Sequence, residues 1–261
     1  MSIAQVIKTE LYKNSRRKSS LMLFIPMLLA IVVTLGYAHG VIELNLTTND
    51  MEAYSCMDFV FIVWNVLSGL GIIGILLILF AAFQFSGEID RGQVKLMLLR
   101  IGKRSTVVLG KYLATVIASV VSILATLVTC IVSYYLFAAS SAMGTGTFAS
   151  TMEGLSSLAV CGTIGLQILM YLLLIGVAFF VGLFANPFIT FVLTMVVMYA
   201  GNYLAGSESV ISKLFPVHWS SRLMLNETAP AVWIVGSVCF IFILTAFIIV
   251  MTLAVFQRQD V

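Results

Sequence analysis

Six long apolar stretches constrain this chain more than any motif in it, because each is long enough to be a helix crossing a bilayer. A hydrocarbon core about 30 Å thick needs roughly 20 residues of helix, since backbone amides must satisfy one another where water is absent. The stretches lie at about 21–39, 59–83, 107–138, 157–184, 188–206 and 231–256. Hydrophobic residues make up 61% of the 261 and charged residues only 10%, with a mean hydropathy of +1.11. That leaves too little polar surface for a soluble globule. The expected fold is an all-α polytopic membrane protein, one six-span domain over 1–261. The third stretch is long enough to tilt or to project past the membrane.

Orientation follows from the basic residues, because positive loops stay cytoplasmic. With six spans both termini share a side. One assignment collects Lys8, Lys13, Arg16, Arg17, Lys18, Arg91, Lys95, Arg100, Lys103, Arg104, Lys111 and Arg258 there, 12 of the 14 Lys and Arg. Lys213 and Arg222 fall outside, as do seven of the 11 acids: Glu43, Asp50, Glu52, Asp58, Glu153, Glu208 and Glu227. The termini are therefore expected to be cytoplasmic. The formal charge of +3 reflects this asymmetry and not a nucleic-acid patch. The first apolar run is too long for a signal peptide and reads as a span.

The chain is poor in catalytic and metal-binding patterns. Cys130, Cys161 and Cys239 lie in apolar spans, Cys56 lies in the first outer loop as a free thiol, and no CxxC or Cys/His spacing occurs. His39 and His218 fall near outer membrane edges, without an HExxH or Gly-x-Ser-x-Gly element. Gly102-Lys103-Arg104-Ser105 looks like the end of a phosphate-binding loop, but Met97 stands where the first glycine is required and no Ser/Thr follows the lysine. This chain is expected to bind no cofactor and hydrolyse no ATP; if ATP drives it, another chain binds the nucleotide and its magnesium.

Two segments interrupt the apolar pattern with amphipathic ones. Between the second and third spans, residues 88–104 place Val94, Met97, Leu98 and Ile101 on one apolar face and Arg91 and Lys95 opposite, with Glu88 nearby. This reads as a short surface helix, lipid-facing below and charged above. Gly92 would weaken such a helix by about 1 kcal/mol and is expected at a bend. At the start, Ile3, Val6, Ile7 and Leu11 form a stripe among Lys8, Thr9, Tyr12, Lys13 and Arg16, an interfacial elbow helix over 1–18. The alternative for both is a snorkelling basic cuff that only fixes topology.

The loop and its surroundings resemble the permeases of ABC transporters of the second exporter class, especially the bacterial permeases of peptide-toxin export or antibiotic immunity. The resemblance rests on Glu88, Gly92, Lys95, the run Leu96 to Leu99, Arg104 and Gly110-Lys111-Tyr112-Leu113-Ala114, on Lys8-Thr9-Glu10-Leu11-Tyr12-Lys13 at the start, and on the six-span layout. Gln93 stands where the family often has threonine and Ile101 where it often has proline. The resemblance implies two permease halves, from the same or a related chain, meeting at a dimer axis in a bacterial cytoplasmic membrane. Each half inserts a coupling helix into a separate cytoplasmic ATP-binding subunit. Glu88, Arg91, Lys95, Arg100 and Arg104 become candidate ATPase contacts, with Gly92 shaping the bend and an expected local pairing of Glu88 with Arg91. The resemblance further implies short re-entrant helices between the fifth and sixth spans, here 207–230, where Phe215, Pro216 and Trp219 are candidates for an outer gate. An aromatic-anchored surface loop is the alternative.

Inside the spans, Gly69, Gly71, Gly74 and Gly201 allow close helix approach, and Asn65, Gln167 and Asn202 are candidate polar linings of a pathway. Asn186-Pro187 reads as the turn between the fourth and fifth spans. No span is expected to bury a charge, which favours an apolar or amphipathic substrate taken from the membrane, such as a peptide antibiotic, a toxin or a lipid-like compound. Membrane lipid is a partner in either case. Two alternatives to an ATP-driven exporter subunit stay open, a secondary transporter and a non-transporting scaffold or sensor. The chain has no convincing internal repeat and no coupling-ion residue, which weighs against the first of them.

Overall fold

The computed structural model describes residues 2–42, 54–141, 144–150, 156–207, 209–224 and 231–258. Glu43, Asp50, Glu52, Glu153, Glu208 and Glu227, and residues 225–230 of the outer stretch, lie outside them. Among the described residues there is no strand, only helices, six of which are long and apolar enough to cross a membrane. The chain is an all-α polytopic membrane protein.

Helix α1 (Ile3–Arg16) begins at a capping box in which Ser2 and Gln5 bond reciprocally to each other's backbone N–H groups. Its buried face is Val6, Glu10 and Asn14, one residue per turn. A 3₁₀ segment (Lys18–Phe24) leads into α2 (Ile25–Ala38), and together they make the first span. Then come α3 (Cys56–Gly69), α4 (Ile72–Gln84), α5 (Ser86–Asp90) and α6 (Gln93–Ile101). Helix α7 (Arg104–Ser133) runs on through a π-helical turn to Ala138 and is the long third span. The remaining elements are α8 (Ser157–Val181), α9 (Pro187–Ala205), α10 (Pro216–Met224) and α11 (Ala231–Arg258).

The continuous second span expected over 59–83 is two helices. The chain breaks at Leu70-Gly71, where Gly71 adopts φ +74°, a left-handed conformation that L side chains resist by about 1–2 kcal/mol. Every position from Phe59 to Trp64 in α3 is buried, so this half-helix lies inside the bundle and not against lipid. Past the break, a Cβ on Gly74 would sit 2.5 Å from Met198 Sδ, so this glycine lets α9 close on α4. Gly69 faces open space and has no such role.

Both chain ends and the 88–104 segment gather at one end of the bundle. Arg104 Nη1 donates to the carbonyls of Phe256 and Gln257 at 3.1 Å, tying the start of α7 to the end of α11, while α1 packs along α7. At the opposite end, residues 54–57 pair with 145–148 through Cys56 N to Thr147 O at 2.9 Å and Thr145 N to Tyr54 O at 3.1 Å. Asn186 caps α9 by accepting from Ile189 N at 2.9 Å with Pro187 in the first turn, as its position in a tight turn requires. Between the fifth and sixth spans, α10 packs against α8 and a 3₁₀ turn (Ser212–Leu214) against α11, with His218, Trp219 and Ser220 buried.

Candidate functional site

The amphipathic loop forms a rigid unit bracketed by two left-handed glycines. Gly92 (φ +68°) starts α6 and Gly102 (φ +75°) ends it, and neither has a neighbour within 4 Å of a Cβ position, so backbone conformation alone selects glycine at both. Val94 is fully buried, and Met97, Leu98 and Ile101 pack with it against Phe85, Val107, Phe179 and Phe256. This corrects the expected lipid-facing base. The face rests on protein because the ends of α4, α7, α8 and α11 converge beneath it.

What α6 presents outward is Lys95, Leu96, Leu99 and Arg100, all exposed, with Arg91 exposed at the preceding turn. Leu96 and Leu99 entered the sequence reading only as part of a leucine run and not as contacts. Their signal was there, since they lie three apart and off the Val94/Leu98 stripe, which leaves them on the far side of a helix.

Glu88 is buried, and its carboxylate does not pair with Arg91. It meets Lys13 Nζ and Arg17 Nη1 at 2.5 Å each, and also the Lys111 ammonium. Lys111 bonds in turn to Glu10 Oε1 at 3.0 Å, and Lys13 reaches the same oxygen at 3.5 Å. Arg17 is fixed further by Gln84 Oε1 at 3.2 Å and Gln93 Oε1 at 2.9 Å. The correction has a plain electrostatic cause. A carboxylate entering low dielectric loses far more hydration than one surface partner returns, so it turns inward to a cluster of cations. Burial, and then the charge of Lys111, push the pKa of Lys13 below the ordinary lysine value, against its two carboxylate partners.

The cluster joins α1, α5 and α7 at one point, and Gly110 permits the approach. A Cβ there would lie 2.5 Å from Val6 Cγ1, so glycine is what lets α1 lie on α7 and bring Glu10 to Lys111. Glu10 and Lys111 were missed as site residues, although both carried a signal. Glu10 follows Val6 by one turn on the buried stripe of α1, and Lys111 is an ionisable residue inside an apolar run. The expectation that no span buries a charge is thereby overturned for Glu88 and Lys111. Arg104, partly buried, bonds to the end of α11, because the last carbonyls of that helix have no helical partners and attract a cation.

The three polar candidates within the spans come together. Asn65, Gln167 and Asn202 line one cavity of about 210 Å³ at the break between α3 and α4, with Ser68, Tyr171 and Met198. Gln167 Oε1 accepts from Trp64 Nε1 at 2.5 Å and Asn65 Nδ2 donates to Phe61 O at 2.9 Å. The lining is neutral: amides, hydroxyls, thioethers and aliphatic groups, and no charged side chain. Val217 of α10 closes one side. The gate candidates stand just behind it. Phe215 packs against Met170, Leu173 and Ile241, Pro216 is buried at the start of α10, and Trp219 donates to Lys213 O at 2.8 Å and stacks on Trp233.

Cys56, expected as a loop thiol, is buried at the first position of α3, next to the Ser55 cap. Asp58 in that first turn is fully buried, with Ser55 Oγ donating to it at 2.6 Å and Ser150 Oγ also bonded. The positive end of α3 favours the carboxylate there. Among the described residues no group of His, Cys, Asp and Glu could hold a metal ion.

A bundle of helices long and apolar enough to cross a membrane, with a break between α3 and α4, an N-terminal helix packed along α7 and a bracketed amphipathic helix, has the architecture of a permease-type membrane subunit. Residues 6–201 match the family model described as ABC-2 family transporter protein, and the chain belongs to that family. Its members are membrane subunits of transporters without an ATPase site of their own, which work in general with an ATP-binding subunit. No curated protein matches the chain.

Proposed function

We propose that this chain is the permease half of an ATP-driven exporter, carrying an apolar or amphipathic substrate such as a peptide antibiotic, a toxin or a lipid-like compound. The observation that carries the reading is the exposed ridge Lys95, Leu96, Leu99 and Arg100 on a helix anchored by its other face. Two leucines held out between two cations form a surface a protein groove can grip. The buried charge cluster beneath links the ridge to α1 and α7. Closure of two ATP-binding subunits on ATP and magnesium would then move the spans of two permease halves as units. In this reading Arg91 and Gly92 set the approach to the ridge, while Glu88 and Arg104 act by holding it in place.

The neutral cavity at the helix break is the substrate's way through, with Asn65, Gln167 and Asn202 as hydrogen-bonding contacts and Phe215, Pro216 and Trp219 as the outer closure. Amides and hydroxyls without charge suit a substrate that is itself neutral at that point. Glu88 and Lys111, at the end of the spans, are both engaged in the ion-pair cluster with Glu10, Lys13 and Arg17, which argues against the free proton relay a secondary transporter uses. The collection of basic residues on their side supports a cytoplasmic position for the termini and α6, and the membrane we assign is the bacterial cytoplasmic one.

Leu96→Glu/Leu99→Glu is expected to lower association with the ATP-binding subunit that co-purifies with the wild-type chain by at least about tenfold, because central interface anchors are commonly worth 2 kcal/mol or more. The thermal midpoint should stay unchanged, since neither side chain packs on the protein. Undiminished co-purification would remove the ridge from consideration. For topology, an impermeant thiol reagent added to intact cells should label Val41→Cys and not Leu99→Cys, both positions being strongly exposed. The reverse pattern would invert the orientation.

A further inference from the structure

At the junction of the first span and the loop lies a basic pocket that neither the coupling ridge nor the pathway uses. It has a volume of about 310 Å³ and is bounded by Arg17, Lys18, Ser19, Phe83 and Arg91. We propose that it binds the phosphate of an anionic phospholipid in the leaflet on the side of the chain termini.

The charge balance is the first argument. Around this point stand five cations, Lys13, Arg17, Lys18, Arg91 and Lys111, and the buried carboxylates Glu10 and Glu88 compensate Lys13, Arg17 and Lys111 only. Lys18 and Arg91 make no ion pair among the described residues. Asp90 is exposed beside Arg91 in sequence, but it does not line the pocket. The lining is therefore left net positive, which favours an anion.

Placement is the second argument. The pocket opens where the first span begins at Lys18 and where α4 ends just past Phe83. Leu21, Phe24 and Ile25 continue from it as exposed apolar side chains on the first span, and Phe83 is exposed on α4. A ligand here meets cations at one end and an apolar belt at the other, which is the profile of a lipid headgroup and the start of its chains. Basic pockets between spans on the cytoplasmic side recognise anionic headgroups in this way. The third argument is preorganisation. Gln84, Gln93 and Glu88 hold the Arg17 guanidinium at fixed positions, so little side-chain freedom is lost when a phosphate arrives.

A phosphate between Lys18 and Arg91 clamps the turn ahead of α6 to the start of the first span. The lipid therefore fixes the same loop that presents Leu96 and Leu99.

The test is native mass spectrometry of the full chain in detergent with dioctanoyl-phosphatidylglycerol, dioctanoyl-phosphatidylcholine or inorganic phosphate. Wild type is expected to retain the glycerol lipid over the choline lipid, and inorganic phosphate at the same concentration should not displace it. Lys18→Ser/Arg91→Ser should weaken that binding about thirtyfold, since each basic side chain's attraction to an anionic surface is worth about fivefold. Lys95→Ser/Arg100→Ser removes the same charge outside the pocket and should leave it intact. Single Lys18→Gln and Arg91→Gln variants, each expected to lose part of the preference, decide the matter if the double variant does not fold. Equal losses in the two double variants would mean diffuse attraction and no site. Absence of any preference for the glycerol lipid, or displacement by inorganic phosphate, would also overturn the proposal. So would an Arg91→Gln protein that kept its lipid preference but lost the ATP-binding subunit, because Arg91 would then belong to a protein partner.

Discussion

Replacing Glu88 by lysine is expected to disrupt the folded protein, and not merely a contact with a partner. The substitution places a fourth ammonium or guanidinium among Lys13, Arg17 and Lys111, all within ion-pair distance of the native carboxylate. Removing one partner of a buried pair commonly costs about 3–5 kcal/mol, and here removal is compounded by like-charge repulsion. Glu88→Gln keeps the shape and removes only the charge, so its loss should sit near the lower end of that range. Arg258→Gln, exposed at the end of α11, should change nothing measurable. The thermal midpoint and the yield of monodisperse protein in detergent report all three. A Glu88→Lys protein that melted with wild type would mean that the cluster does not exist as described.

Gly110→Val should detach the elbow helix. Its Cβ would lie 2.5 Å from Val6 Cγ1 and 2.9 Å from Val6 Cβ, and Val6 is itself buried. Overpacking of this kind costs about 1–3 kcal/mol. Any rotation of α1 away from α7 also draws Glu10 from Lys111, so the total should exceed the steric part. Gly162→Val is the control, because nothing lies within 4 Å of a Cβ there. The second-site change Val6→Gly should restore most of the loss, short of about 1 kcal/mol for glycine within a helix. If Val6→Gly restored nothing, the clash would lie elsewhere and the α1–α7 contact would not be what Gly110 provides.

Not all of the candidate site could be read in the sequence. The residues chosen for their charge do not share one face: Lys95 and Arg100 face outward, Glu88 is buried and Arg104 is tied to the end of α11. Periodicity within one short helix tells which residues share a face. It cannot tell that Lys13, Arg17 and Lys111 wait on the inner side, because those partners of Glu88 lie 23 to 75 positions away in the chain. The three amides were chosen singly as polar groups in apolar spans. Only the packing of α3, α8 and α9 puts them around one cavity.

The sequence by itself determined the class, the number of crossings and the amphipathic insertions, because a bilayer imposes a single length and polarity rule on every span and local composition is enough to satisfy it. It also carried the glycine at each end of α6 and the capping residues at Ser2 and Asn186, which act within one turn of chain. The tertiary structure alone decided the break of the second span, the inward turn of Glu88 and the meeting of Gly110 with Val6. Each of these depends on a neighbour brought from a distant part of the chain, where burial and close approach, and not local preference, set the conformation of lowest free energy.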